Sequence, residues 1–153
     1  MIVQPSTIAT LEAAPSFPAL LAEYAAESAI EGMPPPQARM PQYHALETAG
    51  ALSVLEARTE AGDLIGFLTI LSAPLPHYGR TLAVSESFFV AKAHRSTGAG
   101  LKLLRAAEDK TRDMGSPGLL VSAPYEGDLF KVLPRVGYGE VGRTFFKKVA
   151  ADA

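Results

Sequence analysis

The period of apolar and polar positions changes along this chain, and the changes mark its elements. Residues 16–30 put Leu20, Leu21, Tyr24 and Ile30 on one side of a helix. Ser16 can cap that helix and Pro18 is tolerated in its first turn, while Gly32 and Pro34-Pro35-Pro36 end it. Residues 41–49 read as a second short helix stopped by Gly50, and residues 7–11 as a short opening strand. From residue 52 the period falls to two. Residues 52–59 alternate around Val54 and Leu55, and Glu60-Ala61-Gly62-Asp63 is a hairpin turn signal. Residues 64–72 are nearly all apolar, as suits a strand covered on both faces. Residues 73–80, with Pro74, Pro76 and Gly79, read as a loop, and residues 82–90 as the next strand.

The strongest helix signal opens at Thr97 or Gly98 and runs to Met114. Leu101, Leu104, Ala107 and Met114 form its apolar stripe, and Gly115 with Pro117 stops it. Residues 119–122 read as a short buried strand. Residues 126–136 read as a helix bent near Pro134, and 140–149 as a last strand entered through Gly137-Tyr138-Gly139. Antiparallel strands followed by a strand–helix–strand crossover imply an α/β (mixed α+β) fold, a mixed sheet with helices on both faces.

A length of 153 residues suits one domain spanning 1–153, with 48% hydrophobic and 20% charged residues as in ordinary globular proteins. No apolar run reaches the roughly 20 residues that cross a bilayer, and no secretory signal is visible, so a cytoplasmic location is expected. The absence of cysteine removes disulfides, thiolate metal sites and a cysteine nucleophile. His44, His77 and His94 lack metal-ligand spacing, and no metal is expected. Residues 1–80 carry eight acidic and three basic side chains, residues 81–153 eight and eleven. That excess is too small for nucleic acid but favours a phosphorylated ligand in the second half.

Arg95-Ser96-Thr97-Gly98-Ala99-Gly100 joins a strand to a helix start. The leading N–H groups of a helix lack helical partners and carry the positive end of its dipole, so they suit a pyrophosphate. Gly98 and Gly100 let phosphates approach the backbone; Arg95 can add charge, and Ser96 or Thr97 a hydroxyl. A P-loop would need Lys-Ser or Lys-Thr after its second glycine, where Leu101-Lys102-Leu103 stands. A dinucleotide fold would place the glycines after an early strand, but several elements precede them here.

Phe88-Phe89-Val90, a four-residue spacer and Arg95-x-x-Gly98-x-Gly100-Leu101 together resemble the acyl-CoA motif of the GNAT superfamily of N-acetyltransferases. Leu119-Leu120-Val121 and Leu133-Pro134-Arg135-Val136-Gly137-Tyr138 resemble the family's later segments. His77-Tyr78-Gly79 is similar to a GNAT subgroup found in phage and prophage genomes. The resemblance implies a mainly antiparallel sheet flanked by helices, splayed between the fourth and fifth strands. It implies acetyl-CoA as co-substrate, its pantetheine arm beside Phe88, Phe89 and Val90. The N–H groups of Arg95, Ser96, Thr97, Gly98, Ala99, Gly100 and Leu101 would cradle the pyrophosphate, and the 126–136 helix would pack beside it. The implied reaction is direct attack of a primary amine, on a small molecule or a peptide, in a ternary complex; many family members are homodimers.

Glu86 is the candidate base, a carboxylate in an apolar strand with the parity of Phe88 and Val90. An alkylammonium, with a pKa of about 10.4, must lose a proton before attack. Many family members carry a tyrosine acid four residues before the glycine of the Gly-Phe/Tyr pair. That position is Leu133, leaving Tyr125 as the candidate acid. The asparagine common seven residues earlier is replaced by Glu126. His77 and Tyr78 lie on a loop that can border the acceptor. Two alternatives stand beside catalysis: a non-catalytic GNAT-fold acyl-CoA binder or sensor, and a binder of another small ligand or nucleotide.

Overall fold

The computed structural model describes residues 1–151. Five strands form one sheet in the order β1 (Ile2–Ser6), β2 (Leu52–Arg58), β3 (Leu64–Leu75), β4 (Arg80–Val90) and β5 (Leu119–Leu120). The first four run antiparallel to their neighbours, and β5 is parallel to β4. Helices α1 (Ile8–Glu12), α2 (Phe17–Ser28) and α3 (Met40–Thr48) precede β2; α4 (Ala99–Asp113) precedes β5, and α5 (Asp128–Val132) follows it.

Each face of the sheet has its own core. Ile8, Leu11, Phe17 and Leu20 of α1 and α2 pack on Val54, Phe67 and Phe89. Ala99, Leu103 and Ala107 of α4 pack on Leu55, Leu68, Ile70 and Val90 across the sheet. The four-residue spacing of Ala99, Leu103, Ala107 and Thr111 sets the buried face of α4, and Leu101 is left half-buried. Residues of β3 feed both cores, Leu64 and Phe67 one and Ile65, Leu68 and Ile70 the other, so this strand is apolar on both sides; a register shift against β2 resets its alternation between Ile65 and Phe67. Glu56, which sequence pattern did not single out, is 2% exposed. Its carboxylate accepts bonds from Gln4, Ser6 and the Arg58 guanidinium, tying β1 to β2.

Three expectations are corrected. The opening strand is Ile2–Ser6, and residues 7–11 turn into α1. Thr7 accepts the Thr10 N–H as an N-cap, and the three-residue step between Ile8 and Leu11 buries both, a helical rather than an alternating pattern. Pro5 is accommodated because β1 is an edge strand. Residues 73–80 are not a loop throughout: β3 continues to Leu75, a single turn of 3₁₀ helix covers Pro76–Tyr78, and β4 starts at Arg80 after left-handed Gly79. Residues 140–149 form no strand. A strand needs a partner edge, and β5 is only two residues long. Val141, Phe145 and Val149 are each more than 80% exposed, while Phe146 and Lys148 lie beside Gly32.

The C-terminal helix is also shorter than expected. Glu126, at φ 57°, turns the chain into α5, and Leu133–Val136 is 3₁₀ around Pro134.

One close approach fixes the end of β4. A Cβ at Gly66 would lie 2.8 Å from the Phe89 carbonyl oxygen and 3.1 Å from a Val90 methyl. Gly66→Ala is therefore expected to lower the unfolding free energy by about 1–3 kcal/mol, measured by urea denaturation.

Candidate active site

The ladder between β3 and β4 contains an irregularity that shapes the site. Thr69 is opposite Ser87 and Ile70 is opposite Ser85, so Glu86 has no partner on β3. This bulge puts two consecutive side chains, Glu86 and Ser87, on the helical face shared by α1, α2 and α3. Phe88 and Val90 then face α4. The expected shared parity of Glu86 with Phe88 and Val90 is thereby broken, because the extra residue resets the alternation.

Glu86 lies exposed along a cleft of about 430 Å³ between the sheet and helices α1 to α3. The Tyr43 hydroxyl donates to one carboxylate oxygen at 2.8 Å. Thr69 and Ser87 donate to the other at 2.9 and 2.6 Å. Burial pushes the Tyr43 phenol up to about 12; the Ser87 hydroxyl opposes that and the Glu86 carboxylate adds to it. Tyr43 thus keeps its proton and remains a donor at ordinary pH. Burial also raises the Tyr24 phenol, against the Ser87 hydroxyl and the Phe88 backbone beside it.

Beyond the bulge, β4 parts from β5. Their pairing is confined to Ala83 with Leu119 and Val84 with Leu120, so residues 85–90 have no neighbour on that side. The Ala91 N–H bonds the Ile65 carbonyl, and strand alternation then aims the Phe88 and Val90 backbone groups into the gap. This gap is the splay between the fourth and fifth strands.

The glycine-rich turn follows. Residues 92–97 form 3₁₀ helix, and Gly98, at φ 81°, is the N-cap of α4. Having no side chain, Gly98 caps none of the leading N–H groups itself; the Ala99 N–H reaches the Thr97 hydroxyl at a long 3.4 Å, and a Cβ at Gly98 would meet no atom within 4 Å. Ser96, Thr97 and Gly98 are exposed, Ala99 is buried, and Gly100 lies over Val90 and Phe88. The Thr97 hydroxyl donates to the His94 carbonyl at 2.6 Å. These features fit a pyrophosphate: open space, leading N–H groups and a helix dipole. Arg95 is turned inward instead. Its Nε donates to the Val90 carbonyl at 3.0 Å, one terminal nitrogen reaches Glu27 at 2.6 Å and the other Asp128 at 3.8 Å, with its guanidinium over the Phe89 ring.

A family model described as the acetyltransferase (GNAT) family matches residues 17–125. The chain belongs to the GNAT acetyltransferase family. Among solved structures it is similar to a ribosomal-protein-alanine N-acetyltransferase from Brucella melitensis biovar Abortus 2308. That match has 20% identity and a TM-score of 0.71, covering 97% of this chain and 100% of the other. It is similar to an aminoglycoside 6'-N-acetyltransferase from Acinetobacter haemolyticus at 17% identity and TM-score 0.66, over 99% and 100% of the two chains. An aminoglycoside N-acetyltransferase solved with CoA matches at 17% identity and TM-score 0.71, over 98% and 100%. At these identities the likeness is one of fold. No curated protein matches by sequence.

Other residues singled out in this GNAT chain lie apart from the cleft. His77 and Tyr78 form the turn between β3 and β4, their rings edge to face 5.3 Å apart. From Arg80 to Glu86 is six residues of strand, roughly 20 Å. Tyr125 is exposed, its ring against Phe130. Leu133 is buried, so an apolar side chain fills the position where many family members place an acid. Tyr138 is half-buried and donates to Glu108 at 2.9 Å, binding the C-terminal segment to α4. No group of three or more His, Asp or Glu among the described residues could hold a metal ion. No described helix is long and apolar enough to cross a membrane.

Sequence reasoning found Glu86 but missed Tyr43, Thr69 and Ser87. A signal for two of them existed. Thr69 is a lone hydroxyl in an apolar run, and Ser85-Glu86-Ser87 interrupts the apolar part of the next strand. The raised Tyr43 phenol has a consequence for stability. Its contribution is complete below the unfolded value near pH 10 and is lost as pH rises toward about 12. The wild-type chain should lose unfolding free energy between pH 10 and 12 more steeply than Tyr43→Phe, as read from denaturant curves across that range.

Proposed function

We propose that this GNAT-family chain transfers an acetyl group from acetyl-CoA to a primary amine held in the Glu86 cleft. The observation that carries the reading is the bulge: it lets Glu86 face a cleft while the Phe88 and Val90 stretch of the same strand turns toward a splayed slot, with the Val90 carbonyl held by Arg95. From Glu86 to Val90 is about 13 Å of strand. The start of α4, open at Gly98, suits the pyrophosphate, and Phe88 and Val90 suit the pantetheine arm. A solved neighbour of the same fold contains CoA, which supports the choice of cofactor.

Acetyl-CoA supplies an activated acyl carbon as a thioester. The residues of this chain supply position and a proton path. The incoming alkylammonium gives its proton to Glu86, and the freed nitrogen attacks the thioester carbonyl. A C–N bond forms, the nitrogen gives up its second proton to solvent, the C–S bond breaks, and the departing thiolate takes a proton from solvent. Tyr43, Thr69 and Ser87 hold the Glu86 carboxylate in place, so little reorientation is needed as the proton arrives. With Leu133 at the usual acid position, no side chain is assigned to protonate the thiolate. A thiol with reference pKa of about 8.5 leaves adequately without one. Arg95 works as a brace beneath the turn, joining it to α2 and to the end of β4.

Glu86→Gln is expected to lower kcat/KM by about a hundred- to ten-thousandfold with CoA affinity retained. Release of CoA thiol measures the rate, and calorimetry the affinity. Full activity in this variant removes Glu86 from the mechanism. Gly98→Trp should weaken CoA by at least about tenfold, because the bulky side chain covers the phosphate surface. Unchanged affinity removes the start of α4 from the site. CoA binding with no thiol release from any amine would instead make the chain a non-catalytic CoA-binding member of the family.

A further inference from the structure

We infer that the acceptor is a small primary monoamine with an apolar alkyl or aryl body, rather than a polyamine or another polycation. This rests on the assignment of the Glu86 cleft to the amine. The cleft is polar at one end, where Glu86, Tyr43, Thr69 and Ser87 converge. The rest of its lining is mainly apolar, with Leu11, Leu21, Ala25, Pro36, Met40 and Phe67 prominent. Among the described lining residues Glu86 alone carries a charge. Its volume, about 430 Å³, lies in the range of small-ligand sites.

The other acids of this half of the chain strengthen the point. Residues 1–80 are rich in carboxylates, yet those on α1, α2 and α3 are engaged elsewhere. Glu12 pairs with His44 at 2.5 Å, and Glu47 accepts the Ile8 N–H at 3.0 Å. Glu23 accepts the Lys92 N–H at 2.8 Å, and Glu27 holds Arg95. A second or third ammonium on the acceptor would therefore lie against apolar walls without a carboxylate partner, and burying an unpaired charge is strongly unfavourable. One ammonium has a partner in Glu86, and an apolar body has a matching surface in Leu21, Ala25 and Met40.

The test compares 2-phenylethylamine with spermidine and neamine, using two readouts. Thiol release with acetyl-CoA should give kcat/KM for 2-phenylethylamine at least about tenfold above either polycation. Calorimetric titration of the CoA-loaded protein should show the same order of affinity. Equal or reversed order in binding overturns the inference, even if a polycation is acetylated. The expected order in binding without turnover of any amine sustains it, and sinks the transfer reading alone. Ala25→Phe, which fills the apolar end, should raise the dissociation constant for 2-phenylethylamine at least about tenfold and leave that of CoA unchanged. Met40→Trp, from α3, is the companion variant if the first fails to fold. An unchanged amine affinity in the folded variant overturns the assignment.

Discussion

Between Thr69 and Ile70 the pairing of β3 with β4 skips one residue, and that residue is Glu86. Ala83 packs on the α4 side, so alternation from that end sets Glu86 on the opposite face, and an unbroken ladder would have carried Phe88 and Val90 there with it, away from α4. The extra residue rotates the alternation instead. Glu86 and Ser87 turn together toward Tyr43, and the following residues regain the pattern that buries Phe89 on one face and Val90 on the other. Two requirements of a transfer site, a carboxylate in an open cleft and an apolar strand end packed under a helix start, are met by one strand because its register breaks between them.

The charge distribution follows the same logic. Glu23 and Glu27 stand four residues apart, one turn of α2, and both reach the segment between β4 and α4. The basic residue of the glycine motif is thus neutralised from the helix side. It lies over Phe89 and donates to the Val90 carbonyl, which closes one backbone acceptor on the splayed edge. The arginine therefore shapes the turn. The positive end of α4 is bordered by Gly98, which adds no side chain over it, and by the Thr97 hydroxyl, which accepts the Ala99 N–H at 3.4 Å. The same helix, α2, lines the Glu86 cleft with Leu21 and Ala25 and holds the turn through Glu23 and Glu27.

Much of this was legible in the sequence. The strands around Val54, Phe67 and Phe88 and the helix after Gly98 follow from periodicity that the burial pattern reproduces. The antiparallel run and the parallel pairing of β4 with β5 follow from one crossover helix, although the sequence reading adds a last strand at 140–149 that does not form. What was not legible depended on pairing between distant segments. The bulge at Glu86 exists only relative to β3, and no local signal distinguishes Ser-Glu-Ser in a bulge from the same triplet in a regular strand. Tyr43 sits on a short helix with no buried residue, so its role arises from where α3 docks. Residues 7–11 were misread because five residues are too few to separate a three-residue step from alternation. Residues 140–149 carry a strand-like composition, but β5, at two residues, offers little edge to pair with.

The leaving-group end of the site is built differently from the amine end. Leu133 is packed and apolar, held in a 3₁₀ turn whose end is tied back by the Tyr138 N–H to the Leu133 carbonyl. Tyr138 itself points to Glu108 on α4, where burial first and the carboxylate second keep its phenol protonated well above the usual range. It is committed to holding the chain end against α4. Under the proposed reaction, proton handling is concentrated at Glu86. An ammonium at neutral pH is almost wholly protonated and must be deprotonated before it can react. A thiolate, by contrast, needs no proton to depart. The asymmetry in the side chains matches the asymmetry of the proposed chemistry: a network of three hydroxyls around the carboxylate proposed as base, and an aliphatic residue where donation is dispensable.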